Sequence, residues 1–339
     1  MAVERYKNTR RHGLAKAIGL FSGGLDSVLA VLLLQKLGVE VLPITFSSPF
    51  FNTKKTLAAA DKINISVRIL DITDPLIEIL RNPEYGFGKN MNPCVDCHAL
   101  MLNEAGKLME KEGFDFLFTG EVLNERPMSQ TMSALTIVAK KSGYADYILR
   151  PLSAKRLPQT KPEREGLVDR SQLLDFCGRS RKPQIALAEE FGVTQYENPA
   201  GGCLLTYEGY SLKLRDLLKH TPGAPLRQYD LLRMGRHFRL PCGNKLIVGK
   251  DKNENEFLLS QKQAHDIVLQ GHNIKSPIGL IPCPTDSCDF DTACRIIARY
   301  CKPDTRVPIE LTRETPALSV IKEVTKFSPE ESDVYLITV

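Results

Sequence analysis

Apolar residues recur in two alternating patterns along the first 150 positions. Short, nearly continuous apolar runs, typical of buried strands, fall near 16–21, 39–46, 67–72, 114–119 and 147–152. Between these runs lie stretches with helical spacing, near 25–36, 53–63, 74–81, 94–112 and 128–142. Strands that alternate with helices predict a parallel sheet covered by helices on both faces. We therefore expect the first part of the chain to be an α/β domain.

The pattern changes after residue 150. Residues 153–182 are rich in basic and turn-forming residues, and helical spacing returns near 183–192 and 207–219. A Thr-Pro-Gly-Ala-Pro stretch at 221–225 is typical of a linker. Beyond it, short apolar runs at 245–249, 256–259 and 334–339 predict strands. We expect a basic arm at 1–14, a domain at 15–222 and a smaller α+β domain at 226–339.

Composition narrows the class of protein. The chain has 339 residues, of which 42% are hydrophobic and 25% charged, and it contains no run of about 18 apolar residues. Its start is polar and basic, unlike a secretory signal, so a cytoplasmic protein without a membrane partner is expected. Nine cysteines in such a protein favour metal or sulfur chemistry over disulfides. The net charge of +5 permits nucleic-acid binding without requiring it.

A Ser-Gly-Gly-Leu-Asp-Ser segment at 22–27 joins the first predicted strand to the first predicted helix. Glycines allow the backbone to approach a phosphate, and the start of a helix offers free N–H groups. An ordinary capped turn is the alternative, but the order and position of these residues favour a phosphate site. Asp26 suits a Mg²⁺ ion that bridges its carboxylate and the phosphates. No Gly-Lys-Ser/Thr sequence is present at Walker spacing.

This segment resembles the PP-loop of the ATP pyrophosphatase superfamily over about residues 15–220. The resemblance implies an adenine nucleotide alpha-hydrolase-like fold, ATP as cofactor, and adenylylation of a substrate oxygen with release of pyrophosphate. It does not choose the nucleophile that then displaces AMP. The nucleotide-binding residues that it implies are Ser22, Gly23, Gly24, Asp26, Ser27, Phe46 and Gly120.

Three cysteines stand out by their surroundings. Cys94 and Cys97 have CxxC spacing at a predicted loop-to-helix junction, where a helix start favours the thiolate. Cys203 follows two glycines, which suggests close backbone packing. From the residues alone, a zinc half-site, a redox pair and part of a cluster site all stay open, and Cys203 could be a buried core residue.

The order of PP-loop, Asn-Pro-Cys-x-x-Cys-His and a distant Gly-Gly-Cys resembles the tRNA thiolase branch of the superfamily. The resemblance implies a 4Fe-4S cluster held by Cys94, Cys97 and Cys203, fed by a sulfide or persulfide donor. Alternatives are a catalytic persulfide pair, or zinc with His98 as a further ligand. The implied catalytic residues are the three cysteines and Asp26. Asp96, between two of the cysteines, is either a general acid/base or a capping residue.

The segment after the predicted strand at 114–119 departs from that branch. Thr119 and Gly120 match it, but most of its members have His or Asn-Asp after the glycine, where this chain has Glu121. The role of Glu121 stays open at this point.

Two basic stretches are candidates for RNA contact. One lies within 140–182, and the other, at 233–250, interleaves basic residues with Phe238 and resembles the small RNA-binding domain of NFACT proteins. A solvated charged face is the alternative for both. The candidate RNA-binding residues are Lys155, Arg156, Lys161, Arg164, Arg179, Arg181, Lys182, Arg236 and Arg239.

Together these features predict ATP-dependent thiolation of a tRNA uridine. A uracil oxygen would be adenylylated, and sulfide from the cluster would then replace it. The alternatives are a PP-loop sulfur transferase that acts on a small molecule or a protein, and a non-catalytic RNA-binding or cluster-carrying accessory protein. The intact Asp26 and Ser27 argue against the last. A homodimer is a further expectation.

Overall fold

The computed structural model describes residues 14–126, 129–196, 202–282, 284, 288–302 and 306–337. The chain divides into two compact units, Met1–Cys203 and Leu204–Val339. None of the helices in these described ranges is both long and apolar enough to span a membrane. The predicted basic arm at 1–14 lies outside the described residues except for its last residue, Leu14.

The first unit is built on a five-stranded parallel sheet. Its order is β3-β2-β1-β4-β5, so the strand that precedes the PP-loop is central. Leu20, the last residue of that strand, pairs with Ile44 on one side and Thr119 on the other. The strands are β1 (Lys16–Leu20), β2 (Glu40–Ser47), β3 (Arg68–Asp71), β4 (Phe116–Thr119) and β5 (Ile148–Leu149).

Helices cover this sheet in two groups, one with α1 against α7 and the other with α4 against α3 and α5. The helices are α1 (Leu25–Lys36), α2 (Lys54–Lys62), α3 (Thr73–Arg81), α4 (Cys94–Glu112), α5 (Met132–Ser142), α6 (Lys161–Arg164) and α7 (Lys182–Glu190). Local signals set their ends: α4 stops at Gly113 in the left-handed region, and the Thr131 hydroxyl caps α5. The predicted α/β fold is confirmed.

Close packing requires a small residue in the central strand. The ring of Phe118, on β4, stands where a side chain on Gly19 would be, with its Cζ 2.1 Å from an ideal Cβ. The ring joins Phe21, Leu29 and Phe116 in a fully buried core. Burial of these large side chains supplies the main driving force for closing α1 onto the sheet.

The second unit has a six-stranded antiparallel sheet in the order β11-β10-β8-β9-β7-β6. The buried face of α11, which includes Ile296 and Ile297, packs against it. The predicted α+β class is confirmed. The elements are α8 (Glu208–His220), α9 (Leu226–Leu231), β6 (Arg236–Arg239), β7 (Lys245–Val248), α10 (Lys252–Ser260), β8 (Ile267–Gly271), β9 (Gly279–Ile281), α11 (Phe290–Ala298), β10 (Arg306–Arg313), β11 (Leu318–Thr325) and α12 (Pro329–Asp333).

The two outer strands of this sheet differ. Along β6 lies the last described part of the chain, where Arg239 N–H donates to Tyr335 O and Ile337 N–H donates to His237 O, both at 2.8 Å. At the other side, β11 pairs with β10 alone and exposes Ile321.

The predicted domain boundary at 222–226 differs from the observed division after Cys203. Helix α8 packs within the second unit: the Tyr210 hydroxyl donates to Tyr229 O at 3.3 Å, and Lys213 Nζ donates to the carbonyls of Leu232 and Gly235. These contacts, made across the predicted linker, hold α8 against the chain that follows it.

Two strand predictions in the second unit are wrong. The run at 256–259 lies inside α10, because the Asp251 carboxylate caps the Glu254 N–H and starts a helix. The described part of 334–339 forms a turn and a single bridge from Leu336 to Phe238. The long hairpin of β10 and β11 was missed.

Candidate nucleotide and cysteine site

The PP-loop leaves the carboxyl end of β1 and packs tightly against the start of α2. Gly23 has φ +75°, and a Cβ there would lie 2.9 Å from Thr56 Cα, so glycine is needed both for the turn and for the contact. The Thr56 hydroxyl donates to Ser22 O at 3.0 Å, and the Ser27 hydroxyl donates to Gly24 O at 2.8 Å. The loop is therefore held in one shape by contacts to its own backbone.

The start of α1 is suited to an anion. Gly24 is the N-cap residue and, as a glycine, supplies no side chain to cap the helix. The N–H groups at a helix start and the helix dipole bind phosphate. The predicted phosphate-binding residues Ser22, Gly23, Gly24 and Ser27 are thus brought together around one helix start.

Asp26 lies in the first turn of that helix. Its Oδ1 is buried and has no hydrogen-bond partner. Burial raises the pKa of its carboxyl, while Arg181, Gln184 and Arg126 act in the opposite direction. A buried carboxylate oxygen without a partner, beside an anion site, has the hard-donor chemistry that Mg²⁺ prefers. The residues present fit a magnesium ion here.

The end of β4 touches the same turn. A Cβ on Gly120 would lie 2.5 Å from the carbonyl carbon and oxygen of Asp26, so the backbone of Gly120 rests directly on α1. Phe46, at the end of β2, is 6% exposed and packs as a core residue. Beside it, the Ser47 hydroxyl donates to Asp71 Oδ2 at 2.9 Å.

The cysteines lie at the start of α4 and near the end of the first unit. Cys94 is exposed, Cys97 is buried and Cys203 is half-buried, and none of these three described cysteines is in a disulfide. Burial raises the pKa of Cys97, and the charges of Cys203, Cys94 and Asp96 raise it further. Cys203 therefore lies within electrostatic reach of Cys97.

The three cysteine side chains are not grouped as the ligands of a metal ion would be. Across the described parts of the chain, no three His, Cys, Asp or Glu side chains are grouped closely enough to hold a metal ion. Cys94 Sγ accepts instead from Asn92 Nδ2 at 3.2 Å, and a side chain on Gly202 would face open space. Three soft thiols fit an iron–sulfur cluster by donor chemistry, although they are not gathered into ligand geometry.

Asp96 joins three segments. It is 2% exposed, with Oδ1 3.2 Å from Lys141 Nζ and Oδ2 accepting from Tyr85 N–H at 3.1 Å. It does not cap α4, whose N-cap residue Pro93 has no side-chain cap. With both oxygens engaged, the carboxylate ties α4 to α5 and to the loop before α4.

Glu121 is the site residue that the sequence left without a role. Its side chain is 13% exposed, with Oε2 accepting from Arg150 Nε at 2.9 Å and Oε1 3.6 Å from His98 Nδ1. Burial tends to raise the pKa of Glu121, but Arg150 and His98 outweigh it and hold the pKa at about 2. His98 thus lies beside Glu121. No local pattern marks Arg150, so the pair could not be found from spacing.

The candidate RNA-binding residues fall into two groups. Arg179 and Lys182 are exposed, and Lys155, Arg156 and Arg164 are exposed while bonding to nearby oxygens. Others are turned inward: Lys161 contacts Tyr147, Arg181 lies near Asp26, Arg236 stacks on Tyr300 and Arg239 pairs with Asp216. Fewer of the predicted RNA-binding side chains are therefore exposed to solvent than the sequence predicts.

A parallel sheet with a Ser-Gly-Gly-x-Asp-Ser loop at the carboxyl end of its central strand defines a PP-loop protein. Residues 13–156 match the family model described as thiamine biosynthesis protein (ThiI), and residues 235–336 match that of the NFACT protein RNA binding domain. The first segment is therefore similar to the ThiI family, and the second is similar to the NFACT RNA-binding domain.

The similar proteins are named as enzymes that transfer sulfur to tRNA. The tRNA-specific 2-thiouridylase MnmA of Trichlorobacter lovleyi is 23% identical over 82% of this chain and 82% of its own length. Probable tRNA sulfurtransferases of Thermoanaerobacter sp. and Thermococcus kodakarensis are 25% and 29% identical over 48% and 40% of this chain. The match spans 51% and 36% of those two relatives.

Proposed function

We propose that this protein is an ATP-dependent tRNA sulfurtransferase that replaces a uracil oxygen with sulfur. One observation carries the proposal: Gly120 rests on the backbone of Asp26, and its neighbour Glu121 contacts His98, which follows Cys97. The nucleotide loop and the CxxC helix are thus connected through two consecutive residues. Activation by ATP and attack by sulfur would take place side by side.

In the first step, the N–H groups at the start of α1 bind the phosphates and Asp26 holds Mg²⁺. A uracil oxygen attacks the α-phosphorus of ATP, a P–O bond forms, and the bond to pyrophosphate breaks. The charge that develops on phosphorus is stabilised by helix N–H groups already in place. The product is an adenylylated base, in which a poor leaving oxygen has become part of AMP.

In the second step, a sulfur nucleophile attacks the activated carbon, and the C–O bond to AMP breaks. Cys94, Cys97 and Cys203 would hold a 4Fe-4S cluster, which supplies soft iron for sulfur chemistry when bound. Buried Cys97 anchors the ligand set within the core, while Cys94 faces solvent at the helix start. The sulfur would come from a sulfide donor, or from a persulfide whose S–S bond breaks as a second thiol forms a disulfide with the carrier sulfur.

RNA as the substrate is supported by the second unit. Its match to the NFACT RNA-binding model favours a nucleic acid over a small molecule or a protein. The exposed Arg179 and Lys182 offer further phosphate contacts in the first unit.

The proposal is tested by incubating the anaerobically purified protein with ATP, Mg²⁺, sulfide and unmodified tRNA, followed by mass spectrometry of the nucleosides. A thiouridine is expected, and Asp26→Asn should lower its rate at least about 100-fold because Mg²⁺ loses a charged ligand. Cys203→Ser should also remove bound iron, whereas Cys177→Ser, a change at an exposed thiol, should not. AMP formation without a thiolated base would contradict the proposal.

A further inference from the structure

Unpartnered polar atoms concentrate beside the PP-loop. Within the described parts of the chain, seven buried side-chain nitrogen or oxygen atoms lack a hydrogen-bond partner, and five of them belong to four residues around Asp26. Such groups are rare in folded proteins because an unsatisfied buried polar atom is costly. The five atoms are Asp26 Oδ1, Glu125 Oε2, Arg181 Nε, Gln184 Nε2 and Gln184 Oε1.

These four residues come from three separate segments. Asp26 lies in the first turn of α1, Glu125 follows β4, and Arg181 and Gln184 lie at the N-terminal end of α7. Gln184 is 1% exposed, and its amide lies close enough to Asp26 to lower the pKa of that carboxyl without reaching hydrogen-bond geometry. A nearly fully buried amide without a hydrogen-bond partner, beside a carboxylate oxygen that also has none, favours a ligand that bonds to both.

The cluster contains charges of both signs, but they do not form close ion pairs with one another. Burial raises the pKa of Glu125, and the charge of Asp26 raises it further, while Arg126 and Arg181 lower it. Arg181 Nε is 4.0 Å from Glu125 Oε1, at the outer limit of an ion pair. By contrast, the structural pair of Arg150 and Glu121 closes to 2.9 Å. Asp26, Glu125, Arg181 and Gln184 thus lie near one another without satisfying each other's polar atoms.

The mixed charge identifies the ligand. A cation alone would meet the guanidinium group of Arg181 and the nearby charge of Arg126, and an anion alone would meet the two carboxylates. A divalent cation bound to a diphosphate satisfies both, with oxygen ligands on the metal and N–H donors on the phosphate oxygens. We propose that Asp26 and Glu125 share a divalent cation, while Arg181 and Gln184 bind the diphosphate attached to it. This inference rests on the proposed function only in taking the PP-loop as the phosphate site.

Binding of pyrophosphate to the full chain tests the proposal by isothermal titration calorimetry. The wild type should bind pyrophosphate at least about tenfold more tightly with Mg²⁺ than with EDTA. Glu125→Gln should remove that metal enhancement, and Arg181→Met should weaken binding under both conditions. Glu190→Gln, in an exposed ion pair of α7, and Arg68→Met, in an exposed ion pair with Glu112, are the matched controls and should behave as wild type.

Thermal unfolding separates a ligand role from a structural one. Without ligand, Glu125→Gln should raise the melting temperature because it removes the cost of burying the carboxylate and its repulsion from Asp26. Mg²⁺ with pyrophosphate should then add less stability than in the wild type. A variant that keeps the metal enhancement, or that melts lower than wild type without ligand, would overturn the inference. These measurements need no tRNA, sulfide or cluster, so a failure of thiolation with this metal dependence intact would count against the proposed function alone.

Discussion

Glu121 shows how one buried carboxylate can connect two parts of a site. It bonds to Arg150, which is 7% exposed, and lies beside His98 on the cysteine helix. A buried charge that loses its partner keeps the cost of its burial without the attraction that offsets it. The pair is therefore expected to be much more important for stability than the ion pairs on the surface.

Arg150→Met tests this expectation. The variant should lower the free energy of unfolding by about 3 kcal/mol, because the largely buried Glu121 would keep only the Thr119 hydroxyl and His98 beside it. Arg156→Met, which breaks the exposed pair with Asp175, should cost less than about 1 kcal/mol. Urea unfolding followed by circular dichroism measures both. Equal losses in the two variants would show that burial of the Glu121 pair adds nothing.

At the scale of elements, the strand-to-helix junctions of the first unit depend on backbone contacts. Gly120 touches Asp26 and Gly23 touches Thr56, so the ends of β4 and β1 are fixed against helices with no side chain between them. Small residues at these points set how closely the loops approach the nucleotide site.

Gly120→Ala should therefore reduce both the stability of the protein and its affinity for ATP. The added methyl group would meet the backbone of Asp26, so we expect a loss of about 1–3 kcal/mol of stability and weaker ATP binding as α1 shifts. The matched control is Gly209→Ala in α8, where a Cβ meets no atom within 4 Å and alanine favours the helix, so stability should rise slightly. Denaturant unfolding measures the stability of both variants, and nucleotide titration measures their affinity for ATP. Unchanged ATP binding in Gly120→Ala would argue that this contact does not shape the site.

Local signals account for the elements that the sequence predicts well. The run of β1, the PP-loop and α1 is read from adjacent residues, and the predicted helix at 25–36 coincides with α1. The placement of α8, by contrast, depends on contacts made across the predicted linker, and the run at 256–259 becomes helical through the Asp251 cap. Motif residues such as Asp26 could be named in advance, but Glu125, Arg150 and Gln184 could not. Their roles come from tertiary approach, which leaves no local periodicity.

For the whole molecule, we expect the free energy of unfolding to change with pH in the alkaline range, because the second unit buries lysine side chains. Burial and the charge of Lys250 together lower the pKa of Lys213 to about 8. The unfolded chain keeps this proton up to about pH 10.4, so the unfolded state binds more protons between about pH 8 and pH 10.4. Stability should therefore rise with pH in that window.

The comparison is between the wild type and Lys213→Met. From pH 8 to pH 10, the free energy of unfolding of the wild type should rise relative to the variant, by at most about 1.4 kcal/mol per pH unit. Urea unfolding followed by circular dichroism at several pH values measures the difference. Parallel pH profiles would show that Lys213 titrates alike in the folded and unfolded states.

The two outer strands of the second sheet, β6 and β11, differ in how readily they could pair with a strand of another molecule. Backbone groups at a free edge can recruit a strand from another molecule, and charged residues such as Lys322 and Glu323 on β11 oppose this. On the opposite side, residues 335–337 cover β6 through backbone hydrogen bonds. A chain shortened before Tyr335 would have two free edges in place of one. Protection against aggregation therefore resides partly in three residues that take no part in nucleotide or sulfur chemistry.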